Sequence, residues 1–317
     1  HGCSICAWLE AFTPIRAPAM RKALERVLLE QCSIVRRRLF AIVLLLLVIW
    51  SVAPSWAYIQ KAYNVVAAPC HGEAALTNDL PTSPLVQSVI PPPEDFCTYQ
   101  WGMNRREIHI ELYNLERALR RSPPDAAVIE LGAAIGLNSD FVSKFLDAYA
   151  AATGEPRRPH HLYDAFSAQG FPDCEPTEQN STHCKEKNWF KGLRGLIDTR
   201  PLIRTRMLKN GIRVPDGMHR GFFAEIPLED YPSRVAFALF DSDAERSIRD
   251  SFKMVFPRMD PHGIILLHDY TLDKCCPGVE AATRVFFSSN KLQAEALEVR
   301  TDARLAVLEV EKTRGHA

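Results

Sequence analysis

The stretch from Phe237 to Tyr270 constrains the fold more than any other. Two apolar runs each end in acids, Val235-Ala-Phe-Ala-Leu-Phe-Asp241-Ser-Asp243 and Gly263-Ile-Ile-Leu-Leu-His268-Asp269-Tyr270. Between them, Ile248, Phe252, Val255 and Phe256 recur at helical spacing within Ala244–Phe256. The pattern predicts strand, helix, strand, with both strands buried. So short a crossover makes the strands parallel and adjacent. In open α/β sheets, ligands gather beyond the carboxyl ends of the strands. Asp241, Asp243, His268 and Asp269 should therefore meet at one rim. That set suits a hard divalent cation or general-base chemistry.

A second half of a site is written upstream. Ala126-Ala-Val-Ile-Glu130-Leu-Gly132-Ala-Ala-Ile-Gly136-Leu-Asn138-Ser139 reads as an apolar strand entering a glycine-containing turn. A helix is predicted over Phe141–Ala152, with Phe141, Val142, Phe145, Leu146 and Tyr149 on one face. Glycines at such a turn let the backbone approach a ligand, and the helix amino end favours an anionic group. The E-x-G-x-x-x-G spacing differs from the G-x-G-x-x-G of dinucleotide sites. It matches the spacing of S-adenosylmethionine sites in Rossmann-like methyltransferases. His161-Leu-Tyr-Asp164 is a candidate next strand whose terminal acid suits a ribose hydroxyl pair.

These residues resemble the macrocin O-methyltransferase-like family, S-adenosylmethionine-dependent sugar O-methyltransferases. The resemblance runs from about Ala126 to Glu311. It rests on Val128-Ile-Glu130-Leu-Gly132, on Asp164-Ala-Phe166 with Gly170-Phe-Pro172, and on Gly221-Phe222-Phe223 with Ile226-Pro227. It continues through Phe240-Asp241-Ser-Asp243, Phe256-Pro-Arg-Met-Asp-Pro-His-Gly263, His268-Asp269-Tyr270 and Cys276-Pro-Gly278-Val with Phe286-Phe287. This chain has His268-Asp269 where the family often has two aspartates. It also lacks the family's tyrosine after the D-x-D motif and has Gly136-Leu137 in place of a glycine pair. The resemblance implies a Rossmann-like class I methyltransferase, α/β, with a mostly parallel seven-stranded sheet and helices on both faces. It implies that Glu130, Gly132, Gly136, Asn138, Ser139, Asp164 and Phe222 bind S-adenosyl-L-methionine. Asp241, His268 and Asp269 would hold Mg2+ or Mn2+, with Asp241 and His268 catalytic. The acceptor would be a hydroxyl of a small molecule or glycan, deprotonated on the metal or directly by His268 or Asp241.

Two other classes stay open. A Rossmann-like domain that has lost its reaction would explain the altered motifs. A type II Golgi glycosyltransferase could use Asp241-Ser-Asp243 as its metal motif, but Glu130–Gly136 and His268–Tyr270 would then have no role. The 38 basic and 38 acidic residues balance, so no bulk field attracts nucleic acid, and none is expected as a partner.

The amino-terminal third differs. Leu39–Tyr58 is twenty residues without a charge, preceded by Arg36-Arg37-Arg38. That length spans a bilayer, and the arginines keep the amino end cytoplasmic. The expectation is a basic tail over 1–38 and a transmembrane signal-anchor over 39–58. A proline-containing stem over 59–100 and a catalytic domain over 101–317 follow. The product would be a single-pass type II protein with its domain in the Golgi or endoplasmic reticulum lumen. A cleaved signal peptide ending near Ser55-Trp-Ala57 is the alternative. The chain opens at His1, so more sequence is expected upstream.

Six of the nine cysteines follow the apolar segment. Cys174 with Cys184, closing a polar insertion, is the preferred disulfide, and Cys70 with Cys97 the next. Adjacent Cys275 and Cys276 are not expected to bond to each other. Asn180-Ser-Thr182 is a glycan acceptor sequon in the same insertion. The polar stretch from Phe171 to Leu208 reads either as a lid over the substrate or as a surface insertion. Met103–Arg121 predicts an amphipathic helix with Ile108, Leu112, Leu115 and Leu119 inward and its charges solvated.

Overall fold

The structure is a computed structural model and describes residues 80, 82–91, 103–166, 173–182, 184, 198–272 and 274–313. The apolar segment 39–58 and the pair Cys70 and Cys97 lie outside these residues. Among the described residues, no helix is long and apolar enough to cross a membrane.

Seven strands form one sheet: β1 (Ala127–Leu131), β2 (His160–Asp164), β3 (Gly217–Arg220), β4 (Val235–Phe240), β5 (Met259–Leu267), β6 (Leu297–Arg300) and β7 (Leu305–Glu309). Their order is β3-β2-β1-β4-β5-β7-β6. The first five run parallel, while β7 lies antiparallel to both β5 and β6. The mostly parallel seven-stranded sheet expected from the sequence is thus present. Every residue of β1 and β4 is buried, as a sheet covered on both faces requires.

The helices are α1 (Pro84–Val89), α2 (Arg105–Arg121), α3 (Leu137–Thr153), α4 (Arg200–Lys209), α5 (Glu245–Val255), α6 (Pro277–Asn290) and α7 (Val310–Thr313). Ile108, Leu112, Leu115 and Leu119 of α2 pack with Phe145 and Leu146 of α3 on the β1 side chains of one face. Ile248, Phe252 and Val255 of α5 and Val279 and Ala282 of α6 cover the other face with Ile129, Ala238 and Ile265. Ile203 and Met207 of α4 form a small separate cluster with Leu162 and Phe166.

Two expectations change. Residues 82–91 were assigned to the stem, yet α1 forms there and buries Val86 and Ile90 against α2 and α3. Pro84 stops nothing because it sits in the first turn, where its missing amide has no partner to lose, and Ser83 caps the helix. The charged side of α2 is also not a solvated face. Glu107, His109, Glu111, Asn114 and Glu116 are all buried.

Candidate active site

The parallel register brings the strand exits to one line. Leu131 pairs with Phe240, which pairs with Leu267, while Leu131 also pairs with Tyr163. The ladder runs one step further: the Asp241 amide donates to Leu131 O at 2.8 Å, the His268 amide to Phe240 O at 3.0 Å and the Gly132 amide to Tyr163 O at 2.9 Å. Gly132, Asp164, Asp241 and His268 therefore share one rim, as the strand-ending acids anticipate.

Asp241 Oδ1 lies 2.7 Å from His268 Nδ1, and Asp269 Oδ2 lies 3.5 Å from the same nitrogen. His268 Nε2 faces Glu107 Oε2 at 3.6 Å, an ionic contact too long for a hydrogen bond. Arg304, on the turn before β7, grips both Glu107 oxygens at 2.5 and 2.7 Å and comes within 3.5 Å of Asp269 Oδ1. Glu107 also closes the α2 capping box with Asn104. Burial alone would push the His268 imidazole down, but Asp241 and Asp269 overcome it and hold the ring well above its ordinary value. Burial likewise raises Glu107, yet the imidazole and guanidinium beside it hold it below the usual carboxylate range. Asp269 is raised by burial, although His268 opposes this. In this state His268 carries its proton and has no lone pair with which to take one from a hydroxyl. Of the two bases named from the sequence, Asp241 is the one whose side chain is partly exposed.

The glycine loop is held from several sides. Gly132 has φ 100°, and a Cβ there would meet the Asp241 carbonyl oxygen at 1.8 Å. The sequence assigned this glycine to close approach of a ligand, but the backbone it admits is the β4 exit. Gly136 caps α3 in the left-handed region, no side chain caps that helix, and a Cβ would press on Ile203 of α4. Helix α4 clamps the loop further. Thr199 Oγ1 donates to Ala134 O at 3.1 Å, and Arg206 donates to the carbonyls of Ile135 and Gly136 while pairing with Asp140 at 2.8 Å.

The remaining cofactor residues divide. Glu130 is buried, 2.6 Å from His160 Nε2, and it accepts from Ser139 Oγ at 2.9 Å and more distantly from Asn138. Glu130 and Ser139 thus shape the loop from beneath. Asp164 stands at the β2 exit, where it accepts from the Ala134 amide at 3.0 Å and the Phe166 amide at 2.6 Å. Burial lifts its carboxyl despite those two bonds. Phe222 follows Gly221, whose amide donates to Asp164 O at 3.0 Å, so it sits at the same rim. Sequence reasoning missed Glu107, Glu111, Thr199, Arg206 and Arg304.

The insertion after β2 docks beside this rim. Cys174 and Cys184 are joined, as the sequence suggested. Glu178 reaches the α5 amino end and accepts from the Glu245 amide at 2.6 Å, and the Thr182 amide donates to Lys274 O at 3.1 Å. Adjacent Cys275 and Cys276, not expected to bond to each other, have their sulfurs brought close together in the turn entering α6. Sequence neighbours seldom bridge. Here both amides fold back onto Leu272 O, which bends the chain where the sulfurs meet.

No protein-family model matches the chain, and no curated protein matches it. Solved structures do. The O-methyltransferase NovP is 16% identical with a TM-score of 0.53, over 69% of this chain and 84% of that one. The calicheamicin methyltransferase CalS11 is 15% identical with a TM-score of 0.51, over 75% and 98% respectively. At such identities the likeness is one of fold, and the fold is the Rossmann-like one these methyltransferases share.

Proposed function

We propose that this protein is an S-adenosylmethionine-dependent O-methyltransferase acting on a hydroxyl of a sugar or glycoside, assisted by a divalent ion. One observation carries the reading: the glycine loop and Asp164, at the exits of β1 and β2, share a rim with Asp241, His268 and Asp269, at the exits of the neighbouring β4 and β5. The fold common to NovP and CalS11 supports methyl transfer. The sugar acceptor rests on the resemblance to the macrocin family.

The residues fit both groups. The left-handed Gly136, the uncapped α3 amino end and Asp164 suit a ligand with an anionic group and hydroxyls. Bound S-adenosylmethionine would supply an activated sulfonium methyl, leaving alignment as the protein's main task. Asp241, His268 and Asp269 each offer a ligand atom, all within 4.8 Å of one another. Asp269 Oδ1 is buried without a hydrogen bond, and Glu107 stands behind His268 as an outer partner. A divalent ion held there would lower the pKa of a hydroxyl. It would have to displace the His268 proton, so its binding should weaken as pH falls. Asp241 is then the group on this chain to receive the acceptor's proton. Without the ion, the protonated His268 ring, with Nδ1 2.7 Å from Asp241 Oδ1, fixes the orientation of that carboxylate. Asn138 and Phe222 complete the cofactor side of the proposal, with Gly132 shaping the loop by admitting the β4 exit.

The same reading includes a type II topology with the domain in the Golgi or endoplasmic reticulum lumen. It is supported by the triple arginine ahead of the charge-free segment.

The test combines binding with turnover. Calorimetry should detect S-adenosylhomocysteine binding to the wild type. Asp241→Asn, nearly isosteric, should keep that binding and lose about 10²-fold or more in methyl transfer to a glycoside acceptor. Chelation should mimic the variant, and magnesium or manganese should restore the wild type. Activity that survives thorough chelation would leave Asp241 as a direct base without a metal. Full turnover in Asp241→Asn would remove it from the active site. Absence of binding would favour the non-catalytic reading.

A further inference from the structure

One buried carboxylate lies outside the rim and has no part in the reaction described above. Glu178 belongs to the insertion after β2, between Cys174 and Cys184, on a single 3₁₀ turn over Pro176–Glu178. It is 1% exposed. An acid so buried needs partners for its oxygens. Glu178 Oε1 accepts from the Glu245 amide at 2.6 Å, and Oε2 accepts from the Glu175 amide at 2.9 Å.

The first of these bonds supplies what α5 lacks. A helix amino end leaves its first amides without intrahelical partners. The residue before α5 is Ala244, and no side chain of its own caps the helix there. Glu178 provides the acceptor from a segment 67 residues upstream, and its charge suits a helix amino end. The insertion meets α5 by two further contacts: Thr177 Oγ1 donates to the Glu245 carboxylate, and Arg249 pairs with Glu175 at 2.6 Å. Room for Glu178 is left by Gly278 in the first turn of α6, where a Cβ would collide with Glu178 Oε1 and the Glu245 amide.

The α5 amino end is also one end of the turn that carries Asp241. Its strand end is fixed by the Asp241 amide, which donates to Leu131 O at 2.8 Å. Between the two ends, Asp243 has φ 40°. A residue other than glycine keeps that conformation only where its surroundings hold it. The insertion reaches the second acidic turn as well. Asp269 has φ 55°, and the Thr182 amide donates to Lys274 O at 3.1 Å shortly after it. The insertion therefore grips both segments that leave the candidate metal ligands.

We propose that Glu178 is a positioning residue for the metal site: by capping α5 from the insertion, it fixes the Asp241–Ala244 turn and with it the direction of the Asp241 carboxylate. This rests on the metal-assisted reading. Glu178 touches neither ion nor acceptor, and the glycine loop has its own clamp in α4. Its loss should therefore weaken the ion and spare the cofactor.

The probes are Mn2+ and S-adenosylhomocysteine, each titrated calorimetrically into the full-length wild type, Glu178→Ala, Glu178→Asp and Arg249→Ala. Glu178→Ala should bind Mn2+ about tenfold more weakly, with S-adenosylhomocysteine affinity at the wild-type level. Retained cofactor affinity shows that the variant is folded. Glu178→Asp is one methylene shorter and cannot hold both amides at once, so its Mn2+ affinity should fall too; it decides the matter if Glu178→Ala does not fold. Arg249→Ala removes an insertion contact that does not involve the α5 amide, and it should leave both affinities unchanged. Wild-type Mn2+ affinity in a folded Glu178 variant overturns the inference. So does an equal loss for both probes, or a loss in Arg249→Ala as large as that in Glu178→Ala, since either would mark docking of the insertion as a whole. A wild type that binds S-adenosylhomocysteine but no Mn2+ removes the metal-assisted reading and this inference with it.

Discussion

His161 and His219 face each other at the β2–β3 edge, with nitrogens 3.2 Å apart. Their rings continue a stack through Tyr163 to Tyr231. Burial, then His219, pushes the His161 pKa from 6.5 down to about 4. The folded ring is thus neutral at pH values where the unfolded chain binds a proton. Its contribution is whole above about pH 6.5 and is lost as pH falls towards 4. Allowing for solvent screening of a partly exposed ring, the loss should be about 1–2 kcal/mol. Urea denaturation at pH 7 and near pH 4 should show a smaller acid loss in His161→Phe than in the wild type. Equal losses would assign the acid sensitivity elsewhere. The acids at the strand exits were legible in the sequence because an apolar run that stops at a carboxylate marks a sheet rim. Glu107 and Glu111 were not, since acids four residues apart on a charged helix look the same whether they face water or a site. Arg304 gave no signal, because only the β5–β7 pairing carries it to Asp269.

At the scale of elements, α4 is the surprise. Its sequence, Arg200-Pro-Leu-Ile-Arg-Thr-Arg-Met-Leu-Lys, is dominated by charge and reads as part of a polar insertion. Yet Ile203 and Met207 are fully buried, and Arg206 holds two carbonyls of the glycine loop. The loop carries positive φ at Gly132, Ala134 and Gly136. Such a backbone persists only where its surroundings hold it. Arg206→Ala should therefore weaken S-adenosylhomocysteine binding by about tenfold, through loss of preorganisation. Thermal stability should fall only modestly, by about 1–3 kcal/mol, as the Asp140 pair and two carbonyls lose their donor. Unchanged affinity would show that the loop holds its own shape. Strands β1 and β4 are legible to within a residue because their side chains are apolar almost throughout. The start of α3 was read four residues late, since Leu137-Asn-Ser-Asp140 has no apolar repeat and its two central side chains turn down to Glu111 and Glu130.

For the whole molecule, the sheet order places every candidate catalytic group on one side, and the disulfide-closed insertion docks beside that side through Glu178. Asn180 lies within this insertion and is exposed, while Ser181 beside it is buried, its amide bonded to Glu178 O at 2.8 Å. The insertion thus presents the sequon asparagine outward on a loop that a bridge restrains. A disulfide of this kind persists in oxidising compartments, and the acceptor asparagine is modified only there. Both features agree with the proposed lumenal position. The proposed orientation rests on the three arginines before the charge-free segment, which favour a cytoplasmic amino end. Expressed with a carboxyl-terminal tag in cells with a secretory pathway, the protein should shift in mobility on glycosidase treatment, and Asn180→Gln should abolish the shift. In intact microsomes the tag should resist added protease until detergent opens the vesicle. A tag digested without detergent would put the domain in the cytoplasm. The glycan result would then have to be negative as well, so the two readouts test one topology from opposite sides of the membrane.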